Sequence, residues 1–147
     1  MNSETVRTDS GSKAIAVAIV EDLTEIREGI ADLLDATAGF RCVGRYGSME
    51  HALAAFAHHP ADVALCDIQL PGIDGIEGIR RLKAAHPQTV FIVFSVYDDD
   101  ERVFDALCAG ASGYLLKKTP PERLLEALID AAAGGGVAPR GVLVDNT

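Results

Sequence analysis

Short apolar runs alternate with helical patterns five times along this 147-residue chain, and that rhythm admits very few folds. Ala14–Val20 is an unbroken run of small and branched residues, as a strand buried on both faces requires. Val63–Cys66, Val90–Phe94 and Tyr114–Leu116 read the same way, and Phe40–Tyr46 alternates as an edge strand would. Between them, Thr24–Ala36 spaces Ile26, Ile30, Leu33 and Leu34 as a helix does. Ser48 suits the N-cap of a second helix, with Met49, Ala52, Leu53 and Phe56 on one face and Pro60 closing it. Ile76, Ile79 and Leu82 mark a third, ending near His86-Pro87. Val103, Phe104 and Leu107 carry a fourth inward after the acidic start Asp98–Asp100, which suits a helix N-terminus. Pro120 and Pro121 open a fifth, whose Leu124, Leu125, Leu128 and Ile129 face the core. The sum is a parallel sheet wrapped by helices on both faces, joined by right-handed crossovers.

A formal charge of -9 argues against gripping nucleic acid or an anionic membrane, both of which need clustered Lys and Arg. Cys42, Cys66 and Cys108 are odd in number and widely spaced, so they read as small buried hydrophobes in a reducing compartment. No His/Cys spacing matches a zinc site; His58-His59 reads as a helix end. Residues 1–13 are polar, lack a secretory apolar region, and read as a flexible tail; residues 134–147 read as a linker. No run has the length of a transmembrane helix, and the expected location is the cytoplasm.

Four of the apolar runs stop at residues able to hold or receive a phosphoryl group. These are Glu21 and Asp22, then Asp67, then Ser95, then Lys117. In an open parallel sheet the C-terminal strand ends share one edge, where ligands bind. Neighbouring strands lie ~5 Å apart, so the carboxylates crowd and must bind a proton or a cation. A hard divalent ion such as Mg²⁺ with a phosphoryl group answers that crowding. The segment Leu70-Pro-Gly-Ile-Asp-Gly75 is turn chemistry at the same edge.

Val-Glu-Asp at 20–22, Cys-Asp-Ile-Gln-Leu-Pro-Gly-Ile-Asp-Gly at 66–75, Phe-Ser at 94–95 and Gly-Tyr-Leu-Leu-Lys at 113–117 occur in that order. Together they resemble the receiver domain of bacterial two-component response regulators, over residues 14–133. The resemblance implies a flavodoxin-like (βα)5 doubly wound parallel sheet of strand order 2-1-3-4-5. It implies that Asp67 is the phosphoacceptor and Asp22 a direct Mg²⁺ ligand. Glu21 would reach the ion through water, and the backbone carbonyl of Gln69 would complete the protein's share. Lys117 would neutralise one phosphoryl oxygen and Ser95 would hydrogen-bond another, while Tyr114 would rotate inward as the switch aromatic.

The same resemblance implies partners and context. A sensor histidine kinase would dock around Ile26 and Ile30, and phosphorylation would favour a homodimer. Ala132–Pro139, Asp98-Asp-Asp-Glu and the second lysine, Lys118, resemble the NarL/FixJ subfamily, whose members continue into a LuxR-like helix-turn-helix. The chain thus reads as the receiver of a transcription regulator that binds DNA through a missing C-terminal domain; the alternative is a stand-alone receiver. Lys118 stands where many receivers carry Pro, which bears on the Lys117–Lys118 peptide, because a non-proline cis bond costs ~3 kcal/mol. Val96 is larger than the residue often found there and is expected to crowd phosphate access. Gln69 and Tyr97 are expected to slow hydrolysis of the acyl phosphate. A haloacid-dehalogenase-like phosphatase would need a second acid where Gln69 stands, and a degenerate protein-binding receiver would not need the Asp67, Asp22 and Lys117 set.

Overall fold

Strands that are apolar at every position can bury both faces, and the chain does so at Ile15–Val20 (β1), Val63–Cys66 (β3), Val90–Ser95 (β4) and Gly113–Leu116 (β5). The computed structural model describes residues 13–134. Phe40–Tyr46 (β2) completes a five-stranded sheet of order β2-β1-β3-β4-β5, with every pair parallel. Helices run at Thr24–Ala36 (α1), Met49–Ala55 (α2), Gly75–Ala85 (α3), Asp100–Ala109 (α4) and Pro121–Ala132 (α5). The expected doubly wound fold and strand order are therefore present. The tail expected at 1–13 lies, apart from Lys13, outside the described residues, as does the linker expected at 134–147 apart from Gly134.

Alternate strand residues feed two cores. Val20, Cys66, Val93 and Tyr114 pack with Met49 of α2 and Phe56 just after it, and with Ile79 and Leu82 of α3 and Ala106 of α4. Val17, Ile19, Leu65, Ile92 and Leu115 face Ile30 and Leu34 of α1 and Leu124 and Leu128 of α5. β2 is an edge strand, as its pattern suggests, and carries a bulge. Val17 pairs with Cys42 but Ala18 pairs with Gly44, leaving Val43 as the extra residue.

Helix starts follow side-chain chemistry. Ser48 Oγ accepts from the His51 N–H at 3.1 Å, Asp74 from Glu77 at 2.9 Å and Asp99 from Arg102 at 3.2 Å. α2 stops at Ala55, before the turn that precedes Pro60. Some faces differ from expectation. Phe104 is 65% exposed and Ile129 is 49% exposed, because the inward stripes run through Ala106 and Ala109 on α4 and through Leu124, Leu128 and Ala131 on α5. At about 3.6 residues per turn, Phe104 lies on the face of α4 opposite its stripe, and Ile129 lies more than about 90° round α5 from the centre of its own. Ile30 lies in the core, so the apolar surface at the start of α1 comes from Leu23 and half-buried Ile26. Of the cysteines, Cys66 is buried, Cys42 half-buried and Cys108 exposed, so the reading of all three as buried holds for one.

Candidate functional site

Register brings the strand ends level. Val20 pairs with Cys66, Cys66 with Val93, and Ser95 with Leu116, so Glu21, Asp67 and Lys117 each emerge at one edge of the sheet. Backbone bonds hold the exits: Asp67 N–H donates to Val20 O at 3.0 Å and Lys117 N–H to Ser95 O at 2.8 Å. Lys117 Nζ then reaches 2.9 Å from Asp67 Oδ2 and 2.6 Å from Glu21 Oε1. Oxygens of Glu21, Asp22 and Asp67 all lie within 4.8 Å of one another, with Glu21 and Asp67 buried and Asp22 exposed. Ser95, the last residue of β4, is fully buried, and its hydroxyl accepts from the Tyr97 N–H at 3.1 Å. Gln69 is exposed, and its N–H donates to Asp67 Oδ1 at 3.2 Å.

The charges are in tension. Burial pushes the Glu21 carboxyl above its ordinary range; the Lys117 and Leu23 donors pull it back, and the Asp67 charge adds to the rise. Burial also works against the Lys117 ammonium, but Glu21 and Asp67 outweigh it and hold the lysine above its ordinary value. Glu21 Oε1 is buried, and the Lys117 ammonium, which it shares with Asp67, is its one close partner among the described residues. Three carboxylates whose oxygens lie within 4.8 Å of one another, with one ammonium between two of them, fit a hard divalent cation.

The response regulator receiver domain family matches residues 17–129. The chain belongs to that family. The receiver is 37% identical over 120 residues to the DNA-binding transcriptional activator DevR/DosR of Mycobacterium tuberculosis, covering 82% of this chain and 55% of that protein. It is 33% identical over 125 residues to the nitrate/nitrite response regulator protein NarL of Escherichia coli K12, covering 85% and 58%. Among solved structures, the signal receiver domain of a response regulator, NarL, from Mycobacterium tuberculosis superposes with a TM-score of 0.79 at 30% identity, covering 83% of this chain and 98% of that one. A two-component response regulator of the LuxR family from Aurantimonas sp. SI85-9A1 gives 0.78 at 26% identity, covering 83% and 87%. The chain spans about half the length of the curated relatives it matches. No described helix is long and apolar enough to cross a membrane.

In this receiver Tyr114 is fully buried, and its hydroxyl donates to the Tyr97 carbonyl at 2.8 Å. Burial pushes the phenol up, partly offset by the Ser95 hydroxyl. The aromatic is thus turned wholly inward. The Arg102 guanidinium lies 4.0 Å from the Tyr97 ring centroid and bonds Asp99 at 2.8 Å. Val96, expected to crowd the site, is 68% exposed. No described peptide bond is cis, Lys117–Lys118 included.

Three contributors at this edge escaped the sequence reading. Arg27, on α1, donates to the Glu21 carbonyl at 2.9 Å. Glu50, on α2, accepts from the Ile73 N–H at 2.9 Å. Arg102 covers Tyr97. Each acts on a backbone group or a ring face, which leaves no periodic or motif signal.

Proposed function

We propose that this receiver is a phosphorylation-dependent switch whose phosphoacceptor is Asp67. The observation that carries the reading is the Lys117 ammonium set between Asp67 and Glu21 at the sheet edge, beside the end of β4 where Ser95 sits. A carboxylate oxygen of Asp67 attacks phosphorus on a donor phosphohistidine. The O–P bond forms, the P–N bond breaks, and the electron pair leaves with the imidazole, which takes up a proton. Lys117 neutralises a phosphoryl oxygen and Ser95 donates its hydroxyl to another, so positioning and charge compensation do most of the work. Asp22, Asp67 and the Gln69 carbonyl would hold Mg²⁺, with Glu21 acting through water, and the ion would supply further positive charge against the phosphoryl oxygens.

The Ser95 oxygen that accepts the Tyr97 N–H would donate its own proton to the new acyl phosphate, so a shift of Ser95 toward the phosphoryl group acts on the segment that also receives Tyr114. Phosphorylation thereby changes the population of loop and rotamer states next to α4. One phosphoryl group is gained and lost per chain through the protein's own site; the activity is not that of a turnover enzyme. Gln69 in place of a second acid gives a phosphatase no general acid at that position.

The partners that fit are a sensor histidine kinase and, on phosphorylation, a second copy of the receiver, with the receiver itself in the cytoplasm. The name of DevR/DosR, a DNA-binding transcriptional activator, supports a transcriptional output, reached through a DNA-binding helix-turn-helix outside this receiver, with 14–133 as the receiver and 1–13 and 134–147 as tail and linker. Acetyl phosphate with and without Mg²⁺ tests the reading by intact mass and size-exclusion elution. A gain of one phosphoryl group that needs Mg²⁺ and is removed by hydroxylamine is expected, together with earlier elution. An unchanged mass contradicts it.

A further inference from the structure

The loop that follows Asp67 is rich in Pro and Gly, and such segments hold one shape only where contacts pin them. It is pinned at its base. Gly75 N–H donates to Ile68 O at 2.8 Å, and a Cβ on Gly75 would collide with the Asp67 carbonyl oxygen. Its far side is pinned by a different element. Glu50, in the first turn of α2, accepts from the Ile73 N–H at 2.9 Å across 23 residues of sequence. Gly72 has φ +77°, and a Cβ there would collide with the Glu50 carboxylate. The loop backbone therefore lies directly on that carboxylate. The neighbouring Met49 closes on α3, where a Cβ at Gly78 would strike its side chain. The start of α2 thus grips both the loop and the helix it leads into.

Glu50 is exposed and takes part in no salt bridge among the described residues; the charge of Arg81 acts on it more weakly than the Ile73 N–H does. The Ile73 N–H, ahead of its other contacts, holds its carboxyl below the ordinary range. Between the two pins lies Gln69, whose carbonyl is the backbone ligand of the proposed cation site.

We propose that Glu50 is a positioning residue for the phosphorylation site, strapping the loop after Asp67 so that the Gln69 carbonyl faces the divalent cation. The proposal rests on the cation reading given under Proposed function. Groups that orient a metal ligand from behind commonly change affinity by about tenfold or more when removed.

Mg²⁺ alone is titrated into the unphosphorylated receiver by calorimetry, with hydrogen exchange followed at the Ile73 amide. Glu50→Ala is expected to weaken Mg²⁺ binding roughly tenfold and to expose the Ile73 amide. Glu50→Gln, whose amide oxygen still accepts that N–H, is expected to restore most of both. Gly72→Ala pushes the carboxylate away and serves as a second variant should Glu50→Ala fold poorly. Its loss and that of Glu50→Ala are expected to be non-additive in the double variant. Mg²⁺ binding by Glu50→Ala equal to that of a binding-competent wild type, or full additivity, overturns the strap while leaving the site intact. Wild-type protein that binds no Mg²⁺ overturns the site reading, and the strap with it.

Discussion

The Lys117 ammonium lies 2.9 Å from Oδ2 of Asp67, across fifty residues of sequence. Lys117 is 13% exposed at its side chain and Asp67 8%, so water screens the pair weakly. The same ammonium is the nearest compensation for Glu21. One cation therefore balances two buried carboxylates, and a further positive charge at this edge is favourable.

Removing that cation leaves the carboxylates facing each other. Lys117→Met is expected to destabilise the metal-free receiver by about 2 kcal/mol in chemical denaturation, below the loss for a fully buried pair because some water reaches it. Added Mg²⁺ is expected to recover part of the loss. A variant as stable as wild type without Mg²⁺ would contradict this balance.

Glu21 gives the opposite sign. Its folded carboxyl titrates above the unfolded one, mainly through burial. Its contribution to stability is thus full below the unfolded value, about pH 4, and is lost as pH rises through the folded value. Glu21→Gln is therefore expected to match wild type at acid pH. Towards neutrality, without metal, it should become the more stable by about 1 kcal/mol, or roughly 3 °C in Tm. Melting curves across that range check it; a gap that shrinks with rising pH would refute it.

Two glycines of α3 separate backbone from side-chain crowding. A Cβ at Gly75 meets the Asp67 carbonyl and the Ile68 backbone, which cannot move without moving the acceptor. Gly75→Ala is expected to cost about 2–3 kcal/mol and most of the phosphorylation. A Cβ at Gly78 meets the buried Met49 thioether chain, whose flexible torsions give more readily than backbone, and alanine favours the helix by about 1 kcal/mol. Gly78→Ala is expected to fall within about 1 kcal/mol of wild type and to keep its label. Equal losses at the two positions would count against this view of the loop.

Much of the fold was legible because a parallel strand buried on both faces is a continuous apolar run, as at Ile15–Val20 and Val63–Cys66. The convergence of Glu21, Asp67 and Lys117 was legible for the same reason: once the runs are parallel, their ends share an edge. Helix faces were read less well. Phe104 and Ile129 are large and apolar, yet small Ala106 and Ala109 decide the inward face of α4, and a one-residue step carries Ile129 off the α5 stripe. The inward turn of Tyr114 onto the Tyr97 carbonyl, and the grip of Glu50 on Ile73, depend on backbone groups that every residue carries, so no pattern announces them.

The central claim is that Asp67 alone receives the phosphoryl group, and intact mass after incubation with acetyl phosphate and Mg²⁺ tests it most directly. Wild type is expected to gain one phosphoryl group and folded Asp67→Asn none. Undiminished labelling of Asp67→Asn would contradict it.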